Sequence, residues 1–191
     1  EQGVALCRAS GERVNFAVIL GNLGYAYALQ GRLAEGRALL EEGISEGIRS
    51  GGLQGLGHWV AQLSEVCRLA GCGEEARQHA HQALDVARRQ RARGDDVCVL
   101  YQLGVVHAHT DPANVEQAEV YYQQALALAE ELGIRPLVAH CQRGLGTLYA
   151  KTGRAEQARA ALCAAVALYR AMEMTFWLPQ AEAALAQVES R

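Results

Sequence analysis

The side chains best suited to chemistry in this sequence are its histidines, cysteines and basic residues, and their spacing argues against a reaction centre. His107 and His109 precede Asp111, a trio that could in principle hold a metal. Residues two apart on a helix point about 200° apart, so the two imidazoles cannot chelate one ion. His79 and His81 fail for the same reason. Cys67 and Cys72 straddle a helix end, with no further pair of ligands close in sequence. The run from Gly146 to Lys151-Thr152 has a phosphate-loop flavour. It lacks a second glycine before the lysine and lies inside a helical pattern rather than after a strand. Arg88, Arg89, Arg91 and Arg93 form a basic cluster, but Asp95 and Asp96 follow at once. Cations closing a helix offset its dipole, so a solvated helix end is expected there and not a nucleic-acid patch. No nucleophile–base pair stands out, and neither an enzyme nor a bound cofactor or metal is expected.

The elements that carry these residues form a repeat. Four Leu-Gly or Leu-Ser centres occur at Leu23-Gly24, Leu63-Ser64, Leu103-Gly104 and Leu145-Gly146, in steps of 40, 40 and 42 residues. A second ladder of a small residue before an aliphatic one runs through Gly3-Val4, Gly43-Ile44, Ala83-Leu84, Ala125-Leu126 and Ala165-Val166, in steps of 40, 40, 42 and 40. The two extra residues belong to the third unit and are expected in its turn, residues 109–114, where an insertion breaks no packing.

Each unit reads as two amphipathic helices. Leu137, Cys141, Leu145 and Leu148 make one stripe, and Ala158, Leu162, Ala165, Val166 and Tyr169 make its partner. Gly31, Gly71 and Gly153 mark helix ends. The periodicity predicts helices over 14–30, 34–49, 54–70, 74–91, 96–109, 115–132, 135–152 and 155–171. Residues 1–13 hold the second helix of a truncated unit. The units are 14–53, 54–93, 94–134 and 135–174, and 175–191 is a capping helix with Pro179 in its first turn and Trp177 buried. Gly24, Gly104 and Gly146 recur at one register inside helices, where glycine costs about 1 kcal/mol relative to alanine. Close helix approach would account for them.

Composition sets wider bounds. The chain has 191 residues, a net charge of −3 and half its residues hydrophobic. Bulk charge gives no reason to expect nucleic acid or a membrane as partner, and no apolar run is long enough to span a bilayer. Lys151 is the only lysine beside seventeen arginines, a bias that suggests a bacterial source. The chain begins with Glu1 and reads as a fragment of a longer protein. The six cysteines read as small buried hydrophobes in a cytoplasmic protein.

The Leu23-Gly24…Tyr27 and Leu145-Gly146…Tyr149 patterns resemble the first helix of the tetratricopeptide repeat (TPR) family. The series Ala76…Ala80…Ala83, Ala118…Tyr122…Ala125 and Ala158…Leu162…Ala165 resembles its second helix. Cys67 and His107 replace the family's aromatic, the first unit departs from the alanine series with Gly36…Leu40…Gly43, and the terminal proline is absent. The resemblance implies an all-α, right-handed superhelical solenoid of helical hairpins with a capping helix. Residues 139–162 and the tail from Leu168 also resemble the C-terminal repeats of large bacterial cyclase and signalling-ATPase regulators.

In such a solenoid first helices line the concave side. The resemblance therefore places Asn22, Tyr25, His58, Gln62, Glu65, Arg68, Tyr101, Gln102, His109, His140, Arg143, Thr147 and Lys151 in a groove. Asn22, Gln62 and Gln102 share one register, and a row of amides could hold an extended peptide backbone. The lysine–asparagine pair of chaperone-binding members is Gly21-Asn22 here, so a chaperone tail is not expected. The leading expectation is a non-catalytic scaffold for a protein or peptide partner, with upstream domains of the same chain among the candidates. The alternative is a small-ligand sensor. A deep pocket at Tyr101, His109, His140 and Arg143 would favour the sensor, and an open groove with exposed amides would favour the scaffold.

Overall fold

The computed structural model describes residues 2–10, 14–51, 55–91, 93–109 and 114–190. Among these residues there are ten α-helices and no strand. They are α1 (Gln2–Ser10), α2 (Val14–Leu29), α3 (Leu33–Ser50), α4 (Leu56–Leu69), α5 (Gly73–Gln90), α6 (Arg93–His109), α7 (Val115–Glu131), α8 (Arg135–Lys151), α9 (Ala155–Ala171) and α10 (Leu178–Glu189).

Four antiparallel hairpins pair α2 with α3, α4 with α5, α6 with α7 and α8 with α9. Each second helix packs on the first helix of the next hairpin, and the first helices α2, α4, α6 and α8 adjoin in series. No two of α3, α5, α7 and α9 adjoin among the described residues. That asymmetry curves the array, with first helices inside and second helices outside. It is a helical-repeat solenoid, stabilised by nearest neighbours.

The repeated glycines sit where the hairpins close tightest. A Cβ on Gly24 would stand 2.7 Å from the Gly36 carbonyl oxygen and 2.9 Å from the Leu40 nitrogen. On Gly104 it would stand 2.6 Å from the Tyr122 ring, and on Gly146 2.6 Å from Leu162 Cγ. Ser64 takes the same register in the second hairpin, and its hydroxyl donates to the Ala76 carbonyl at 2.7 Å. Its neighbour Ala80 stands where the other hairpins place Leu40, Tyr122 or Leu162. The small partner leaves room for a hydroxyl, which finds the backbone acceptor a buried polar group requires.

Turns between paired helices share one design. Gly31, Gly71 and Gly153 take positive φ. The next residue's N–H returns to a carbonyl five positions back, as from Arg32 to Tyr27, Cys72 to Cys67 and Arg154 to Tyr149. These bonds close the last turn of the helix. The guanidiniums of Arg32 and Arg154 then lie over the Tyr27 and Tyr149 rings, at 3.6 and 4.0 Å. In the third hairpin α6 ends at His109 and α7 begins at Val115, so the two extra residues fall between the helices. Residues 110–113 themselves lie outside the described residues, as do 11–13 and 52–54.

Three local expectations change. Helix α6 starts three residues early, at Arg93, and Asp95 and Asp96 occupy its first turn. Helix α10 starts at Leu178, because residues 175–177 form a turn. That turn holds Trp177 half-buried against His140 and leaves Phe176 57% exposed. Of the cysteines, only Cys67 and Cys141 are fully buried, and Cys163 is exposed.

Candidate functional site

The inner faces of α2, α4, α6 and α8 converge with the start of α10 on two adjoining cavities of about 510 and 360 Å³. Each helix presents one stripe. Helix α4 contributes His58, Gln62, Glu65 and Arg68, and α6 contributes Tyr101, Gln102 and His109. Helix α8 contributes His140, Arg143, Thr147 and Lys151, and Tyr25 comes from α2. Twelve of the thirteen groove residues expected from the sequence thus line one or other cavity. Asn22 is the exception: it is exposed and lines neither. Leu29, Glu65, Tyr101, Arg143 and Trp177 line both cavities.

The amide row does not form as an open ladder. Gln102 is 6% exposed and donates its amide to Glu65 at 2.8 Å. Gln62 Nε2 lies 3.0 Å from His58 Nε2, and its Oε1 is buried without a partner among the described residues. Only Asn22 faces solvent. Side chains one turn along supply bonds the periodicity could not show.

Charge is unevenly settled within the site. Burial pushes the Glu65 carboxyl up, but two bonds from Arg68, at 2.9 and 2.8 Å, and one from Gln102 hold it below its ordinary value. Arg68 and Glu65 are therefore a neutral pair. Arg143 is different. Its Nη1 donates to Gln180 Oε1 at 2.9 Å, its Nη2 reaches the Tyr101 hydroxyl at 3.5 Å, and its guanidinium lies 4.9 Å from the Trp177 ring centre. It makes no ion pair among the described residues, and neither does Lys151. Burial, then Arg143, depresses His140 to about 4, so that imidazole is neutral near pH 7. Its Nδ1 lies 2.6 Å from the Tyr169 hydroxyl, and its ring is flanked by Tyr101 and Trp177.

The residues first weighed for chemistry have structural surroundings. His107 stacks on Tyr121 at 5.4 Å and meets His81 edge-on at 6.1 Å, filling an aromatic's place. Among the described residues no group of three or more His, Cys, Asp or Glu is arranged to hold a metal. No helix of the described residues is long and apolar enough to cross a membrane. Sequence reasoning missed Trp177, Gln180 and Phe176 as wall residues. They come from a turn and a helix outside the repeat period, so no ladder pointed to them.

Stacked hairpins with first helices inside the curve define a helical-repeat protein. The chain belongs to the tetratricopeptide-repeat family: models described as tetratricopeptide repeat match residues 95–171 and 16–45. Among solved structures it is similar to a signal-transduction ATPase with numerous domains carrying a tetratricopeptide repeat sensor, from Pyrococcus horikoshii. Identity is 19% and the TM-score 0.69, over 93% of this chain and 27% of that one. It is also similar to BtubC (BKLC) from P. vanneervenii, with 17% identity and a TM-score of 0.68, over 99% of this chain and 85% of that one. A Podosopora anserina protein described as a kinesin light chain with nearly identical TPR-like repeats aligns at 17% identity and a TM-score of 0.63. The alignment covers 94% of this chain and 96% of that one. The chain therefore spans about a quarter of the length of the Pyrococcus protein. No curated protein matches the sequence.

Proposed function

We propose that this chain is a non-catalytic recognition module that takes a short segment of a peptide or protein partner into its concave site. In this reading it serves as the regulatory part of a larger signalling protein, with units 14–53, 54–93, 94–134 and 135–174 closed by the helix in 175–191. The observation that carries it is the shared lining of the two cavities. Tyr101 and Arg143, at equivalent positions of adjacent first helices, stand at their junction with Trp177. Aromatic walls around a few directional polar groups are what recognition sites use.

The test is selection of displayed random peptides on the intact chain and on Leu29→Glu. Leu29 lines both cavities and is 37% exposed, so the variant keeps its core. Enriched peptides should lose at least about tenfold in affinity for the variant, the effect of about 1.4 kcal/mol. Equal binding to both proteins would refute a concave site.

The second reading, a small-ligand sensor, has its own support. Gln62 and Gln102 are engaged within the chain, which leaves a cavity at Tyr101, His140 and Arg143 instead of an exposed amide row. The Pyrococcus protein's repeats are named a sensor. A metabolite that raises the melting temperature while displayed peptides show no enrichment would decide for this reading.

A further inference from the structure

We propose that Arg143 is the anchor for a ligand carboxylate and that Gln180, on α10, holds the place of that carboxylate in the empty protein. The inference deepens the concave-site reading and rests on it.

Arg143 is the exception among the half-buried arginines whose partners are seen. Arg37 pairs with Glu41 and Glu75, Arg68 with Glu65, Arg77 with Glu74 and Arg154 with Glu119. Among the described residues Arg143 meets only neutral groups: an amide oxygen, the Tyr101 and Tyr169 phenols and an indole face. A partly dehydrated cation without a counter-charge is costly. A site retains one when its counter-charge arrives with the ligand. A guanidinium presents its donors in a planar fork that a carboxylate matches edge-on. In the present structure Gln180 Oε1, 2.9 Å from Nη1, is a carbonyl-type oxygen standing where one carboxylate oxygen would stand.

The surroundings fit an anion with an apolar body. Lys151, two turns along α8, lines the larger cavity without an ion pair, and the Glu65–Arg68 pair there is neutral. The cavity therefore carries excess positive charge inside a protein whose net charge is −3. Tyr101, Tyr122, Phe176 and Trp177 supply apolar wall. Gln180 is exposed and, among the described residues, bonded otherwise only to the Phe176 carbonyl, so it can leave Arg143 without opening the core. The ligand class is a carboxylate on an apolar or aromatic framework. Its source is either the end or an acidic side chain of a peptide, or a small free acid.

Gln180→Glu would place a carboxylate on Arg143 permanently. The experiment titrates four probes into the intact chain and follows the Trp177 indole and Arg143 Nε–H signals by NMR. The probes are N-acetyl-tryptophan, its amide, a short acetylated peptide ending in Trp with a free acid, and the same peptide as an amide with an internal Glu. At least one carboxylate probe should bind and shift both signals, and N-acetyl-tryptophan amide should bind at least about tenfold more weakly, if at all. Gln180→Glu should lose about tenfold for the bound acid and melt at a higher temperature. Gln180→Ala should bind as well as the parent or better, and Arg143→Gln should stay folded and lose binding. Arg159→Gln, on the outer helix α9, should change nothing.

Tightest binding by N-acetyl-tryptophan identifies a small acid as the source. Tightest binding by the free-acid peptide identifies a chain end, and by the Glu-containing amide an internal side chain. The proposal is overturned if no carboxylate probe binds, if acid and amide bind alike, or if Gln180→Glu binds the acid as the parent does. In each case the Leu29→Glu comparison tells whether the concave-site reading survives without it.

Discussion

At the scale of single residues, each hairpin closes at a point where a Cβ would meet the facing helix at Gly24, Gly104 or Gly146. A glycine inside a helix is unfavourable, so recurrence at Gly24, Gly104 and Gly146 implied a steric demand, and the structure shows the opposing atoms. Gly24→Ala should destabilise the chain by about 1 to 3 kcal/mol, because its Cβ meets backbone atoms that cannot step aside. Gly94→Ala, where nothing lies within 4 Å of the added carbon, should be neutral or stabilise by up to about 1 kcal/mol. Urea unfolding of both variants checks the pair, and equal effects would refute the close-approach explanation. Arg143 was legible as a groove residue but not as an uncompensated charge. Its partners Trp177 and Gln180 lie 34 and 37 positions later, where no periodicity links them to α8.

At the scale of elements, helix limits fell within a few residues of expectation because glycines mark most ends. The ends they do not mark are informative. Arg91 and Glu173 close α5 and α9 with φ of 54°, a conformation that glycine takes without strain. Their N–H groups return to the Arg88 and Arg170 carbonyls as glycines do elsewhere. Both are exposed. Arg91→Gly and Glu173→Gly should therefore each stabilise the fold by about 0.5 to 1 kcal/mol, read as a higher melting temperature. Lower melting temperatures in both would show that side-chain contacts outweigh the backbone strain. Helix α10 shows the limit of reading by repeat. Its Pro179 and apolar stripe announced a cap, yet only the folded turn reveals that the cap also walls the concave site.

At the scale of the whole molecule, burial shifts the protonation of imidazoles both on the concave face and between the hairpin helices, and stability should follow pH accordingly. His58, His107, His109 and His140 are all held below their ordinary value, with burial the first cause in each. Below about 6.5 the unfolded chain then binds more protons at these positions than the folded one, and for His140 the difference extends down to about 4. Stability should rise with pH across that window, by at most about 1.4 kcal/mol per unit for each group. The depressed Glu65 carboxyl acts in the same direction at the acid end, since its contribution is lost as pH falls below its unfolded value. Asp95 and Asp96 are raised by burial and oppose the trend in the lower part of the window. Urea midpoints should be higher at pH 7 than at pH 5, and His140→Gln should reduce the difference. Equal midpoints would contradict neutral, buried imidazoles.

The central claim is that recognition occurs on the inside of the curve. It is tested most directly by mapping a display-selected peptide onto the intact chain by NMR. Shifts should concentrate at Leu29, Tyr101, Arg143, Thr147 and the Trp177 indole, with the outward positions of α3, α5, α7 and α9 unmoved. Shifts confined to those outer helices would contradict the account.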